Sequence, residues 1–388
     1  MTRAHLPSLP PGLWRVMLGT AMVVLSFSLL NPVLAVRLQT TGASNTAIGL
    51  FATLPFISVA ILVPWVPRLF ARVGVGQAYR AGLLLEILAS LGYLLTDHYL
   101  AWCAFGLMAG LGAGAAWNAT EALVAHNVPP SHRGRLTGFY QALLGGGMAL
   151  GPFVPSLLAL DSRQANGLAC LGLVLGLVLT MHRSVSHLKA MHEDRAHMGL
   201  WQAWRYRPVL AWAAVVGGVH EVGLGSITTA YGSQIGLDLA GATSIAGALG
   251  LGSFALQYPL GWLADHFPVK RLFVAGATLL TLSALAFTQA ATWPSLIWLC
   301  AGLWGAVGGA LYTLSMICVA HDFAESSALA GTSAMIAGYT AGGALGPIVS
   351  GWALDHLGVG GQGLWLATLA VSLLWMLRGR SGPAPLAD

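Results

Sequence analysis

Charge is scarce in this chain: only 8% of its 388 residues are Asp, Glu, Lys or Arg, against roughly a quarter in soluble globular proteins. That excludes water as the main solvent. Cysteine is scarce too, and Cys103, Cys170, Cys300 and Cys318 all lie inside apolar stretches without the short paired spacings of a zinc site or a disulfide framework. They read as small buried hydrophobes. Phosphate-loop, G-x-S-x-G and HExxH signatures are missing, so nothing points to an enzyme, a cofactor or a metal. The 50 glycines generate accidental G-x-G spacings with no nucleotide-binding meaning. The pI of about 9.2 does not imply nucleic acid either, because the basic residues stand singly or in small groups between apolar runs.

What the chain has is apolar length: 56% of its residues are hydrophobic and its mean hydropathy is +0.73. Runs of about 20 residues match a hydrocarbon core of roughly 30 Å. They predict helices over 13–36, 47–67, 78–96, 99–125, 135–159 and 166–182, then over 208–236, 240–264, 271–291, 293–320, 326–354 and 361–377. The first run, Val16 to Val36, follows Arg3, His5 and Arg15 like a signal peptide. It is too long for an h-region and lacks a small-residue cleavage site, so it predicts a retained helix. With the N-terminus in the cytoplasm, all of the 18 Lys and Arg except Arg37 and Arg163 fall inside, as the positive-inside rule requires. Twelve spans with both termini cytoplasmic in a bacterial inner membrane are therefore expected. The polar stretch 183–207 predicts a cytoplasmic linker between bundles 1–182 and 208–388, and its His187, His192 and His197 read as solvated surface.

Sliding the chain by 195 residues places Trp117 on Tyr312, Asn118 on Thr313, Thr120 on Ser315 and His126 on His321. The same offset lays GGMALGP, ending at Pro152, over GGALGP, ending at Gly346 and Pro347. Six spans per copy give both copies one orientation, a parallel repeat. The fold class that follows is an all-α membrane protein, with twelve transmembrane helices in two six-helix bundles related by an internal repeat. The substrate is expected between the halves.

These features resemble the major facilitator superfamily over essentially the whole chain. The loop GWLADHFPVKR is similar to that family's cytoplasmic motif at Gly261, Asp265, Lys270 and Arg271; the first-half counterpart keeps Arg72 and Gly74 but has Ala71 in place of the acid. The resemblance implies a conformational latch at Asp265. The fifth span, GFYQALLGGGMALGPFVPS, is similar to the antiporter motif at Gly138, Gly147, Gly151 and Pro152 and departs from it at Pro155 and Ser156. Glycines at this spacing permit close helix approach, and proline removes one backbone donor. The motif resembles exporters and exchangers. Gly106 stands near the place where many proton-linked drug exporters carry an arginine.

An ionised side chain at a helix centre costs at least about 2.5 kcal/mol, so each acid within a span needs a reason. His220 and Glu221 lie near the middle of the seventh span, and Thr228 follows Glu221 by two turns. The resemblance places spans one, four, seven and ten around the cavity, which makes this pair the expected proton-coupling site. Glu121 shares a predicted face with Trp117 and Asn118 and reads as a second proton or cation site. Glu86 lies nearer a helix start, in a span that the resemblance makes peripheral, and a structural role is expected for it. Asn31, Tyr312 and Thr313 are polar groups that suit substrate contact or bonding between helices equally, and Trp117, Asn118 and Thr228 complete the expected substrate contacts. The expected function is a secondary transporter working by alternating access, a proton-coupled exporter (antiporter) of a small organic solute, as a monomer in the lipid bilayer. Uptake of a metabolite or siderophore-type chelate is the alternative within transport. A non-transporting receptor or a lipid-modifying enzyme is the alternative of another class.

Overall fold

The computed structural model describes residues 11–127, 133–186, 188, 200–323 and 328–379, and the regular structure in it is helical throughout. The first half contains α1 (Pro11–Thr40), α2 (Asn45–Leu62), α3 (Val75–Leu95), α4 (Tyr99–Asn127), α5 (Arg133–Leu150) and α6 (Ser162–Thr180). The second contains α7 (Pro208–Gly218), α8 (Gly225–Gln234), α9 (Leu239–His266), α10 (Val269–Phe287), α11 (Leu296–Asp322) and α12 (Ala328–Arg378). Among the described residues, nine helices are long and apolar enough to cross a membrane, and the bent pair α7–α8 makes a tenth crossing. The stretch Ala330–Arg378, at 49 residues, is twice what a bilayer needs and turns at Gly358, whose φ of 64° favours glycine. Counting that second crossing, and α5 extended by the turn Gly151–Phe153 and the short helix Val154–Leu157, the described residues accommodate the twelve spans that hydropathy predicts.

Local chemistry sets the helix ends. Asp238 caps α9 by accepting from Gly241 N at 2.8 Å. The helix Val66–Val73, which continues α2, stops at Gly74, whose φ of 81° lets its N–H return to Phe70 O. Large apolar side chains stand exposed on the outside, Leu95 and Trp375 among them. Apolar tails solvate such a surface and water does not.

The chain forms two compact units. The first comprises Met1–Leu30, Ile57–Gly151 and Arg163–Glu193; the second comprises Asn31–Phe56, Pro152–Ser162 and Asp194–Asp388. In the first unit, a Cβ on Gly82 would lie 2.5 Å from Gly112 O, so α3 and α4 cross backbone against backbone. Buried hydroxyls join its helices: Thr20 Oγ1 bonds Tyr79 OH at 3.1 Å and Thr120 Oγ1 at 2.8 Å, tying α1 to α3 and α4. Arg80 donates to Thr180 O at 2.9 and 2.6 Å, tying α3 to α6.

In the second unit the start of α2 lies along the first half of α12. Its first amides are orphan donors, and the Asp355 carboxylate takes them: Asn45 N at 2.9 Å and Thr46 N at 2.7 Å, together with Asn45 Nδ2 at 2.9 Å and Thr46 Oγ1 at 2.6 Å. One carboxylate therefore does at long range what an N-cap does locally, with the charge favoured by the helix dipole. Lower down, Thr53 Oγ1 donates to Ala344 O at 2.6 Å. We expect Asp355→Ala to lower stability by about 1–2 kcal/mol, since charge-assisted bonds at a partly exposed site are lost. Thermal unfolding in detergent checks it, and an unchanged midpoint would show that water replaces the carboxylate at no cost.

Candidate functional site

The seventh span is not a continuous α-helix. Its centre, GGVHEVGLG, carries little side chain to hold α-helical packing, and Val219–Gly223 forms a π turn between α7 and α8, which meet at 40°. A π turn holds one extra residue, which rotates everything after it by about 100° relative to an unbroken helix of 3.6 residues per turn. Thr228 consequently leaves the face of Glu221. It is fully buried, and its hydroxyl bonds Leu224 O at 2.8 Å, within its own helix.

Glu221 is half-buried and held at both carboxylate oxygens. Ser253 Oγ of α9 donates to Oε1, and Tyr339 OH of α12 donates to Oε2 at 2.8 Å. Space for the acid comes from α11, where a Cβ on Gly309 would lie 2.7 Å from Glu221 Oε1. The Tyr312 ring leans on Tyr339 with centroids 4.6 Å apart. One layer along, Thr313 Oγ1 donates to Gln257 Oε1 at 3.4 Å, and Gln257 lies one turn after Ser253. An acid held by two neutral donors, with no ion pair to it among the described residues, is one that a proton can neutralise without breaking a salt bridge.

The structure does not bring His220 to Glu221. Adjacent residues on a helix point about 100° apart, and His220 turns to the interior, fully buried, with Nδ1 bonded to Val216 O at 2.8 Å and its ring edge-on to Trp304 at 6.3 Å. Its Nε2 has no partner among the described residues. Asn31 meets the same span elsewhere, accepting from Ser226 Oγ. Glu121 and Trp117 share an exposed face of α4 in the first unit, while Asn118 is half-buried with its amide bonded to Gly114 O at 2.8 Å.

The motif glycines lie at helix contacts. Ser28 Oγ donates to Gly147 O at 2.9 Å, and a Cβ on Gly151 would overlap the same hydroxyl, so α5 closes on α1. Pro152 follows in the turn Gly151–Phe153. Gly346 sits on the π turn, with its ideal Cβ 3.2 Å from Gly223 Cα, and Pro347 packs beside it. Asp265, Lys270 and Arg271 are exposed around the α9–α10 turn, and Arg72 is exposed before Gly74. Gly138 belongs to α5, and the side chains of residues 128–138 lie outside the described residues, as do residues 187 and 189–199 of the predicted linker.

Sequence reasoning missed Ser253, Tyr339 and Asp355. Ser253 and Tyr339 had one signal each: a polar residue in an apolar span has to bond something. Their choice of Glu221 depends on which helices meet.

A helical membrane protein with two six-span halves and a protonatable acid inside a broken span has the architecture of a secondary transporter. The chain belongs to the Major Facilitator Superfamily, whose profile matches residues 16–253 and 222–386. It is 24% identical over 357 residues to the uncharacterized MFS-type transporter YfkF of Bacillus subtilis (strain 168), covering 90% of both chains. It is 22% identical over 372 residues to the uncharacterized MFS-type transporter YcaD of Shigella flexneri, covering 95% of both. Among solved structures, the nucleoside transporter NupG superposes with a TM-score of 0.75 at 12% identity, covering 95% of this chain and 100% of that one. A D-xylose-proton symporter does so with a TM-score of 0.75 at 14% identity, covering 97% and 99%. At such identities the likeness concerns the fold.

Proposed function

We propose that the protein exports a small organic solute in exchange for protons, by alternating access across a bacterial inner membrane. The observation that carries this reading is Glu221, an acid in a broken span bonded by Ser253 and Tyr339 alone among the described residues. Neutral donors hold the carboxylate, and a proton arriving from one side of the membrane would weaken their grip. Protonation would thus bias the two conformations differently, which coupling requires. His220 keeps its place as the neighbour that fixes the turn through Val216 and Trp304. Tyr312, Thr313 and Asn31 are the proposed solute contacts in the second unit and Trp117 and Asn118 those of the first, where Glu121 is a second proposed proton or cation site. Residues 1–182 and 208–388 are the moving halves in this reading, joined by 183–207, with both termini cytoplasmic. Direction rests on the resemblance of Gly138, Gly147, Gly151 and Pro152 to the antiporter motif, and the latch role on that of Asp265.

Proteoliposomes holding the pure protein and a pH-sensitive dye in the lumen test this. A panel of drugs, sugars, organic acids and chelates is added outside in turn. Exchange moves solute in and protons out, so the lumen turns alkaline with the substrate. Acidification instead would mean symport, hence uptake. Solute exchange with no pH change would remove the proton from the mechanism.

A further inference from the structure

Glu86 has no part in the mechanism above, yet it is the more deeply buried acid. It lies in the middle of α3 at 6% exposure, and its Oε1 has no hydrogen-bond partner among the described residues. Glu221 has both oxygens bonded; Glu86 has an oxygen to offer. The side chain lines a cavity of about 40 Å³ with the hydroxyl residues Ser26, Ser90 and Tyr93 and the apolar Phe27, Leu30 and Leu173. That is room for one water or one small hydrated ion.

The polarity of the lining decides what fits. Ser90 Oγ donates its single proton to Asn166 Oδ1 at 2.8 Å, so towards the cavity its oxygen can only accept. Glu86, when ionised, also only accepts. The Ser26 and Tyr93 hydroxyls carry both a donor and an acceptor, so the carboxylate of Glu86 sets the sign of the site, which suits a cation and repels an anion. Among the described residues the neighbouring elements direct their charges elsewhere: Arg163, at the start of α6, pairs with Asp97 at 3.8 Å. Arg80, the basic residue of α3, reaches Thr180 O of α6, and Arg15 and Arg37 lie towards the ends of α1. The other titratable groups nearby are uncharged at neutral pH. Tyr79 is bonded to Thr20, Tyr93 packs on Trp102 and Phe105, and Cys103 and Cys170 come from α4 and α6. Glu121, the remaining acid of α4, is exposed and more than two turns beyond Gly112, where α4 touches Glu86.

We propose that Glu86 and Ser90, with Ser26 beside them, bind one small monovalent cation inside the first unit, either a hydrated proton or a sodium ion. The site is separate from Glu221 and does not depend on the direction of transport. Because binding is measured without transport, failure of this site and failure of the exchange mechanism are distinguishable.

Infrared difference titration of the purified full-length protein in lipid nanodiscs tests it. The pH is stepped with potassium as the only other cation, then sodium chloride is added at fixed pH. Glu86→Gln should remove the signal of one carboxyl group that remains in Glu221→Gln. If sodium leaves that signal unchanged, the ion is the proton; if sodium converts it at constant pH, the ion is sodium. Ser90→Ala, which leaves the acid in place, should shift the midpoint for that ion by about tenfold in concentration, the loss of one hydrogen bond to a charged group. A titration unaltered in Glu86→Gln, or an unmoved midpoint in Ser90→Ala should the first variant not fold, overturns the site.

Discussion

Replacing Glu221 by Gln should abolish solute-driven proton movement while leaving a folded protein that still exchanges solute for solute. The amide has the shape of the acid, and Ser253 still has an oxygen to donate to. Tyr339 OH, now 2.8 Å from Oε2, becomes an acceptor for the new NH₂ group by rotating its hydroxyl. Packing over Gly309 is unchanged in volume, so the expected stability cost is below about 1.5 kcal/mol, the range of one neutral hydrogen bond. The titratable proton alone is lost. The measurement pairs dye-reported proton flux with isotope-labelled solute counterflow in the same vesicles. Proton flux at the wild-type rate would remove Glu221 from the mechanism; loss of both signals would make it a solute contact.

The second large effect concerns Gly49. A Cβ at this position would overlap Pro347 O, and on the same seam a Cβ on Gly351 would overlap Asn45 O. Backbone has no rotamer with which to yield, so Gly49→Leu must push the start of α2 away from α12. Overpacking of this kind costs about 1–3 kcal/mol. It also pulls Asn45 and Thr46 from Asp355 and Thr53 from Ala344. With the four native cysteines replaced, Thr53→Cys should resist a membrane-impermeant thiol reagent at 6% exposure. Adding Gly49→Leu should raise its labelling rate and reduce solute flux by about tenfold, as expected where one conformation is destabilised by about 1.4 kcal/mol. Unchanged labelling would show that the helices absorb the side chain by local bending.

Much of the fold is legible because a bilayer imposes it. Runs near 20 residues, the one-sided basic residues and the glycine-proline repeats report crossing number and pseudo-symmetry before any packing is known. The site is less legible. Glu221 stands out as an acid among apolar residues, but its partners Ser253 and Tyr339 lie on other helices, and nothing in their local sequence ties them to it. The π turn is hidden as well: GGVHEVGLG is as compatible with a straight helix as with a broken one, so Thr228 reads as a face-mate of Glu221 when it is not. Glu86 was legible as an acid in a span and misleading in position. What distinguishes it is the orphan oxygen and the cavity beside it, which only the packing of α3 on its neighbours creates. Asp355 follows the last predicted residue of its span, and its purpose depends on an amide more than 300 residues earlier.

The seam between α2 and α12 has a thermodynamic character of its own. At Gly49 against Pro347 O and Gly351 against Asn45 O, main chain meets main chain. Interlocking side chains lose rotamers on meeting, each long one costing up to about 2 kcal/mol in entropy. Bare backbone has none to lose. Forming or parting this surface leaves side-chain disorder almost untouched, and its strength comes from contact enthalpy and from the polar clamp at Asp355. If the proposed alternating access parts this seam, it can be worked repeatedly against a small free-energy difference, and it should loosen only slowly as temperature rises.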